Sequence, residues 1–275
     1  MSLKNRTIII TGASRGIGRS IALRCAKDGA NIVLAAKSVE EGKLPGTIFS
    51  VAEEVEKAGG KALPLQIDVR EPEMVEMMVK ETVKRFGSLH ALINNAGAIN
   101  LTPLEATPPK RMDLMLDINM RAVLMCSHFC IPELKKSGGG HIISLSPPLS
   151  FDPKWYGNHV TYTISKYGMS MATIGLAEEL REAKIAVNSL WPKTLIATAA
   201  VNWLMGDDGI KQSRTPEIMA DAAYEILKSG PELSGKMLID ESFLRERGYT
   251  DFKKYQNDPT TEPMLDLFVE PTANS

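Results

Sequence analysis

Residues 11–18 of the sequence read TGASRGIG, and they continue a short apolar run, TIIIT. The three glycines suit different tasks: Gly12 permits a tight turn, Gly16 lets the backbone approach a phosphate, and Gly18 lets a helix pack closely on a strand. The helix that begins at Gly18 would then direct its free N–H groups at that phosphate. The stretch therefore predicts a strand, a phosphate-binding loop and a helix, rather than an ordinary turn.

Short apolar runs alternate along the chain with longer segments of helical periodicity. Strands are predicted at residues 7–11, 31–36, 62–67, 89–94, 141–145, 185–190 and 236–239. Helices are predicted between them, at residues 18–28, 48–58, 73–86, 111–136, 162–183 and 215–227. Because the strands are continuously apolar, both of their faces should be buried, as in a parallel sheet covered by helices.

This alternation predicts an α/β fold in a single domain, a Rossmann-type doubly wound parallel sheet of about seven strands with helices on both faces. The catalytic domain is assigned to residues 1–242, with ligands at the carboxyl edge of the sheet. Residues 243–275 are less regular. We interpret them as a tail that either packs on this body or is exchanged with a neighbouring subunit.

The charge, the apolar runs and the cysteines of the chain indicate which partners and which compartment to expect. With 32 basic and 33 acidic residues the net charge is −1, which gives no reason to expect nucleic acid or an anionic membrane. The longest apolar runs fall far short of a membrane span, and no secretory pattern is recognised. Three cysteines form no disulfide framework, so we expect the cytoplasm or another reducing compartment.

One segment has the residue types of a metal site, with Cys126, His128 and Cys130 at alternate positions. A spacing of two spreads these side chains around a helix instead of bringing them together. We therefore interpret them as ordinary helix residues and expect no metal.

Several further motifs follow the glycine loop in a fixed order. Asp68-Val69 follows the third predicted strand, Asn94-Asn95-Ala96-Gly97 ends the fourth, and a Tyr-x-x-x-Lys motif occurs at 162–166. Over about residues 5–240 the chain resembles the short-chain dehydrogenase/reductase family, and the stretches SPP, WPKT and KYGMS resemble one of its subgroups.

The resemblance implies an NAD(P)-dependent enzyme that acts on CH–OH or C=O groups, and it implies a set of site residues. The catalytic residues would be Asn119, Ser146, Tyr162 and Lys166. The cofactor-binding residues would be Gly12, Ser14, Arg15, Gly16, Ile17, Gly18, Lys37, Asp68, Val69, Asn95, Ala96, Gly97, Tyr162, Lys166, Pro192 and Thr194.

The chemistry explains why the family pairs a tyrosine with a lysine. At i and i+4, Tyr162 and Lys166 share one face of a helix. A free tyrosine has a pKa near 10, so it is a poor base at neutral pH. A nearby ammonium and the positive ring of an oxidised nicotinamide both favour the phenolate. The resemblance implies that Lys166 also holds the ribose hydroxyls, and that Asn119 holds a water in a proton relay.

The family's catalytic serine has no clear counterpart here. The fifth strand continues as Ser144-Leu145-Ser146-Pro147-Pro148, and gapless alignment puts Pro147 at the serine's position. Ser146, one residue earlier, is the favoured candidate, because loops absorb small changes of length. The alternatives are that Ser150 supplies the hydroxyl, or that the hydroxyl is missing and activity is weak.

The choice of cofactor depends on the loop after the second strand. An NAD site has an acidic residue there, whereas this chain has Lys37, and Arg15 lies in the glycine loop. Two cations beside the ribose suit a 2′-phosphate, so NADP(H) is predicted over NAD(H). Farther along, Lys193 replaces a glycine that is usual in the family, and Thr194 or Thr198 could hold the carboxamide.

Aromatic and apolar residues should overhang the nicotinamide and form an apolar substrate pocket; they are Trp155, Tyr156, Trp191, Trp203, Leu204 and Met205. The predicted substrate is a small lipophilic carbonyl compound or secondary alcohol. The resemblance implies a homodimer or homotetramer packed through the two long helices. The alternative to an enzyme is a catalytically weak dinucleotide-binding sensor or scaffold.

Overall fold

A seven-stranded parallel sheet forms the centre of the molecule, as a computed structural model describes it for residues 2–40 and 46–271. The strands are β1 Thr7–Thr11, β2 Asn31–Ala36, β3 Lys61–Gln66, β4 Ala91–Asn94, β5 Gly140–Ser144, β6 Ile185–Trp191 and β7 Met237–Ile239. Their spatial order is β3-β2-β1-β4-β5-β6-β7, and every pairing is parallel. The predicted doubly wound fold is confirmed.

The strand order reverses between β1 and β4, and this reversal opens a crevice at the carboxyl edge of the sheet. All residues of β1, β2, β4 and β6 are buried, as their continuous hydrophobicity predicted. The two faces of the sheet pack against separate apolar clusters. Ile8 and Ile10 belong to one cluster and Ile9 to the other, because successive side chains of a strand point to opposite faces.

The helices of the described residues cover both faces of the sheet. They are α1 Gly16–Ala26, α2 Ile48–Lys57, α3 Pro72–Phe86, α4 Pro109–Met115, α5 Ala122–Lys136, α6 Val160–Glu179, α7 Ala199–Lys211, α8 Glu217–Lys228 and α9 Asp240–Glu246. A π-helical segment, Leu116–Arg121, joins α4 to α5, so the single helix predicted over 111–136 has a local change of winding. The short helices α7 and α9 were not predicted.

Part of the long loop predicted over 37–47, residues 41–45, lies outside the described residues, as do residues 272–275 of the tail. The described part of the tail packs on the body of the same chain. Phe243, Leu244, Phe252 and Tyr255 are buried in the same cluster as α1 and α8.

One helical stretch of the described residues, Pro109–Lys136, is long and apolar enough to cross a membrane by length and composition, because it contains an 18-residue window with a mean hydropathy of 1.4. Its buried side chains, including Ala122, Cys126 and Leu134, pack against the sheet, as those of a core helix do. His128 faces outward, away from Cys126 and Cys130.

Candidate active site

The glycine loop joins β1 to α1 in a conformation that only glycine adopts easily. Gly12 and Gly16 have φ angles of 66° and 55°, in the left-handed region. A Cβ atom on Gly18 would lie 2.6 Å from both the Gly12 oxygen and Asn95 Nδ2. The loop therefore lies tightly against the end of β4.

Asn95 and Thr11 hold that loop in place. Asn95 Nδ2 donates to the carbonyls of Thr11 and Gly12 at 2.8 and 3.0 Å. The Thr11 hydroxyl in turn accepts from the backbone N–H groups of Asn95 and Ala96. The asparagine of the NNAG motif thus fixes the glycine loop from the neighbouring strand.

A groove of about 520 Å³ runs along this loop, across the point where the strand order reverses. Its lining contains most of the predicted cofactor-binding residues: Gly12, Ser14, Arg15, Gly16, Ile17, Lys37, Asp68, Val69, Asn95, Ala96 and Gly97. Residues that sequence reasoning did not assign to the cofactor also line it, namely Ser38, Ile118 and Trp203, and so does Thr198, one of the two candidates for the carboxamide. Gly18 lies behind the loop, where it provides packing space.

Charged side chains stand at the end of this groove near β2 and β3. Lys37 Nζ lies 3.0 Å from Asp68 Oδ2, and the Lys37 side chain is 62% exposed. Arg70 also binds Asp68, and Arg70 together with Lys37 holds the pKa of that carboxyl well below its usual range. Arg15 donates to the Gly46 carbonyl at 2.9 Å.

A second cavity, of about 490 Å³, adjoins the groove and shares Ile17, Asn95, Gly97, Thr198 and Ala200 with it. We call it the apolar pocket, because most of its lining residues are apolar. Both Tyr162 and Lys166 line the pocket. The remaining lining residues are Ala98, Ile99, Leu101, Leu145, Trp191, Pro192, Leu195, Ile196, Val201, Leu204, Met205, Met219, Met264, Leu265, Asp266 and Leu267.

Tyr162 and Lys166 are both buried on α6, and their pKa values move in opposite directions. Burial lowers the pKa of Lys166 to about 8, against an opposing effect of Asp266. Burial raises the pKa of Tyr162 above its usual value, and Asp266 adds to the rise. The protein's own groups thus favour a neutral tyrosine, the form that can donate a proton.

Lys166 and Asn119 are both held by backbone groups close to Gly97. Lys166 Nζ donates to the Leu145 carbonyl at 2.8 Å. Asn119 is fully buried in the π-helical segment, where its Oδ1 accepts from Ala98 N and its Nδ2 donates to Ala98 O. A Cβ atom on Gly97 would be 3.5 Å from Asn119 Oδ1 and 3.9 Å from Lys166 Nζ. The structure thus brings these two predicted catalytic residues to one place.

Ser146 is not brought to the pocket in the same way. Its side chain is completely buried, and its Oγ has no hydrogen-bond partner in the part of the chain that the structure describes. Ser146 lines neither the groove nor the apolar pocket. Ser150 is engaged in its own loop, where its hydroxyl accepts from Asp152 N and its carbonyl from the Tyr156 hydroxyl.

The segment after β6 separates the two candidate threonines. Thr194 pairs with Leu265 of the tail, and its buried Oγ1 lies outside the linings of both cavities. Thr198 begins α7 and lines both cavities at their junction. Lys193, which stands where the family has glycine, forms an ion pair with Glu241 at 3.2 Å.

The predicted aromatic overhang divides into two groups. Trp191, Leu204 and Met205 line the apolar pocket, and Trp203 lines the groove. The other two, Trp155 and Tyr156, instead pack in a cluster around Phe268 and Tyr167.

The tail supplies residues that sequence reasoning missed. Phe268 stacks on Tyr162 with ring centroids 6.2 Å apart, and the Leu267 carbonyl accepts from Trp191 Nε1 at 2.8 Å. Asp266 lines the apolar pocket together with Tyr162 and Lys166. The sequence offered one signal for Asp266, a charged residue between two leucines, but Asp266 has no fixed spacing to any of the motifs that identified the site.

Comparisons with known proteins agree with this geometry. The chain is similar to Hydroxysteroid dehydrogenase-like protein 2 from Danio rerio and Homo sapiens, with 52% and 49% identity over 265 residues. The matched region is 96% of this chain but 64% and 63% of those proteins, so the chain spans less than two thirds of the length of these curated relatives. The resemblance to one subgroup, read from SPP, WPKT and KYGMS, is confirmed.

Solved structures show the same relationship. A protein from Xanthomonas campestris has a TM-score of 0.95 at 47% identity, covering 98% of this chain and 100% of its own. A short chain dehydrogenase from Mycobacterium thermoresistibile has a TM-score of 0.93 at 46% identity, covering 99% of both chains. A metagenomic short-chain oxidoreductase in complex with NADP has a TM-score of 0.72 at 25% identity, covering 87% of this chain and 98% of its own. The family model of short chain dehydrogenases matches residues 6–204, and the chain therefore belongs to the short-chain dehydrogenase family of oxidoreductases.

Proposed function

We propose that this chain is an NADP(H)-dependent oxidoreductase that interconverts a lipophilic carbonyl compound and a secondary alcohol, with Tyr162 as the acid and base. One observation carries the proposal: a groove along a glycine loop opens into an apolar pocket that contains Tyr162 and Lys166. The groove suits a dinucleotide, and the pocket suits an apolar compound with one polar group.

The charges of the groove support NADP(H) over NAD(H). Lys37 and Arg15 both line it, and Lys37 directly follows the end of β2 at Ala36, where an NAD site has an acidic residue to accept from the ribose 2′-hydroxyl. Asp68 is the one carboxylate among the described lining residues, and Lys37 and Arg70 already balance its charge. A 2′-phosphate would therefore face net positive charge. The NADP complex of one structural neighbour agrees with this assignment.

The pKa directions support catalysis of carbonyl reduction. The cofactor supplies or accepts a hydride when it is bound. Tyr162 is kept protonated by burial, so its hydroxyl can pass a proton to a carbonyl oxygen. Lys166, whose pKa burial lowers to about 8, can return a proton to the tyrosine. Thr198, at the junction of the two cavities, is our candidate for holding the carboxamide.

The proposal can be tested with a panel of lipophilic aldehydes and ketones, whose reduction is followed by the loss of NADPH absorbance. The assay compares wild type with Tyr162→Phe and with the control Tyr167→Phe. Tyr167 lies five residues farther along α6, packs against Tyr156 and Phe268, and lines neither the groove nor the apolar pocket. We expect Tyr162→Phe to lose at least about 100-fold in kcat, the usual contribution of a proton donor, and Tyr167→Phe to keep wild-type activity. Equal activity of all three proteins would overturn the assignment of Tyr162.

A second candidate function is a catalytically weak dinucleotide-binding sensor or scaffold. The buried hydroxyl of Ser146 favours it, because the pocket then lacks the serine that the family uses. Tight NADPH binding without turnover of any member of the panel would select this alternative. Turnover that depends on Tyr162 would exclude it.

The surface and the cysteines support two further proposals. Exposed apolar side chains on α5 and α6 suit the interface of a homodimer or homotetramer. These side chains are Leu124, Ile164, Met171 and Ile174. Analytical ultracentrifugation would measure the mass of the assembly. All three cysteines are free and buried, which suits the cytoplasm or another reducing compartment, as fractionation of cells would test.

A further inference from the structure

The apolar pocket contains few polar side chains that remain available to a substrate. Among its described lining residues, three are already engaged in structural contacts: Asn95 in the glycine loop, Trp191 on the tail backbone and Thr198 at the start of α7. Besides Tyr162 and Lys166, this leaves Asp266. A carboxyl group in an otherwise apolar pocket is costly unless it binds something there.

The tail holds Asp266 firmly in this position. Its backbone N–H donates to the Lys193 carbonyl at 3.0 Å, and the adjacent Leu265 pairs with Thr194. Asp266 Oδ1 accepts from the backbone N–H of Leu267 at 2.7 Å. No donor within the described part of the chain reaches Oδ2. One carboxyl oxygen is thus fixed by the tail, and the other is available to the pocket.

The position of Asp266 matters because Ser146 does not reach the same pocket. The reacting oxygen gains negative charge as hydride arrives, and one donor, Tyr162, would otherwise face it alone. A second donor at this oxygen is the usual way to stabilise such a charge.

We propose that protonated Asp266 binds the substrate, donating a hydrogen bond from Oδ2 to the same oxygen that Tyr162 protonates. The inference rests on the oxidoreductase function proposed above. In reduction, hydride adds to the carbonyl carbon and the Tyr162 proton adds to the oxygen, which completes the alcohol. Asp266 keeps its proton throughout and stabilises the developing charge.

Its surroundings favour the protonated form of Asp266 at pH values where an exposed aspartic acid is ionised. Burial raises the pKa of Asp266 to about 7. The N–H of Leu267 and the ammonium of Lys166 oppose the rise, whereas the carboxyl of Asp240 on α9 adds to it. Tyr162, which also faces Asp266, stays neutral in this range because its own pKa is raised. An apolar substrate would exclude water and favour the neutral acid further.

Octanamide is a suitable probe, because its carbonyl oxygen accepts hydrogen bonds but its amide is not reduced by NADPH. Its Kd would be measured with the NADPH complexes of wild type, Asp266→Asn, Asp266→Leu and Ser146→Ala, from about pH 5.5 to about 8.5. Asparagine keeps a donor that does not titrate, and leucine has a similar size and no donor. NADPH affinity and thermal melting report whether each variant folds.

We expect wild type and Ser146→Ala to lose affinity for octanamide about tenfold per pH unit above the pKa of Asp266. Asp266→Asn should bind with little pH dependence, and Asp266→Leu should bind at least about tenfold more weakly at low pH, as for one lost hydrogen bond. Lys166 also titrates in this range, so any change of octanamide affinity with pH that persists in Asp266→Asn is assigned to Lys166.

Wild-type affinity in Asp266→Leu, an unchanged pH profile in Asp266→Asn, or no octanamide binding by wild type would each overturn this inference. The proposed function is decided separately, by NADPH binding and by Tyr162-dependent turnover. Should Tyr162→Phe abolish turnover while Asp266→Leu keeps it, Asp266 has no such role and the oxidoreductase remains.

Discussion

Replacing Lys37 with alanine tests the choice of cofactor by a change that the structure makes easy to interpret. The Lys37 side chain is 62% exposed and pairs with Asp68, which Arg70 also binds. Removing the ammonium therefore leaves no unpaired carboxylate behind. The backbone of the glycine loop, which in our proposal binds the part shared by NADPH and NADH, is unaffected by this change.

The size of the effect follows from the exposure of Lys37. Two charges about 4 Å apart interact by about 1 kcal/mol in water and about 4 kcal/mol in a surface environment of intermediate dielectric. Because Lys37 is mostly solvated, the lower half of this range applies. Lys37 also interacts with Asp68, and weakening that ion pair to bind the phosphate offsets up to about 1 kcal/mol of the gain. The net loss should be about 1–2 kcal/mol, which weakens NADPH binding by about 5- to 30-fold.

Fluorescence titration of NADPH and NADH into wild type, Lys37→Ala and Lys57→Ala would measure this loss. Lys57 is a matched control, since its side chain is 78% exposed and pairs with Glu53 at 3.9 Å on α2. NADH affinity should change by less than about twofold in either variant, and the NADPH effect should shrink as salt screens the charge. Equal weakening of NADPH and NADH, or no loss in Lys37→Ala, would refute the assignment of Lys37 to the 2′-phosphate.

Three further predictions concern the loop, the acid stability and the thiols. Gly18→Ala should weaken NADPH binding at least about tenfold, because the added Cβ would lie 2.6 Å from the Gly12 oxygen. Gly175→Ala is the control: a Cβ there would meet open space, so this variant should bind NADPH like wild type in the same titration. Burial lowers the pKa of His90 to about 4. The stability that neutral His90 contributes is present above its usual pKa of 6.5 and should be lost as the pH falls toward 4. Urea unfolding should show this as a decrease of about 2 kcal/mol in the free energy of unfolding, and the decrease should be smaller in His90→Gln. The three cysteines should react with a charged disulfide reagent at pH 8 only after unfolding, because burial raises the pKa of each thiol.

Local patterns predicted the sheet and the glycine loop well. The strands are short, continuously apolar and separated by helices, and this pattern is compatible with few folds. Helix α7 was missed because Gly206 and Gly209 interrupt its sequence, and Gly206 takes a φ of 62° within it. The π-helical segment around Asn119 was also missed, since one extra residue per turn hardly changes a periodic pattern.

Sequence spacing also placed part of the candidate site. Tyr162 and Lys166 are one helical turn apart, and a helix brings such residues to one face whatever the rest of the chain does. Ser146 shows the limit of this reasoning, because alignment gives its position along the strand but not the direction of its side chain. In the structure Ser146 is fully buried and lines neither cavity.

Asp266 could not have been placed from the sequence, because its position depends on the path of the whole tail. It lies 104 residues after Tyr162 in sequence, and it reaches the apolar pocket through backbone pairing of Leu265 with Thr194. The same pairing brings Phe268 onto the ring of Tyr162. A boundary at residue 242 would therefore separate Tyr162 from two of the residues that surround it. The part of the chain with the least regular sequence thus supplies part of the lining of the pocket, whereas the regular part determines where the pocket lies.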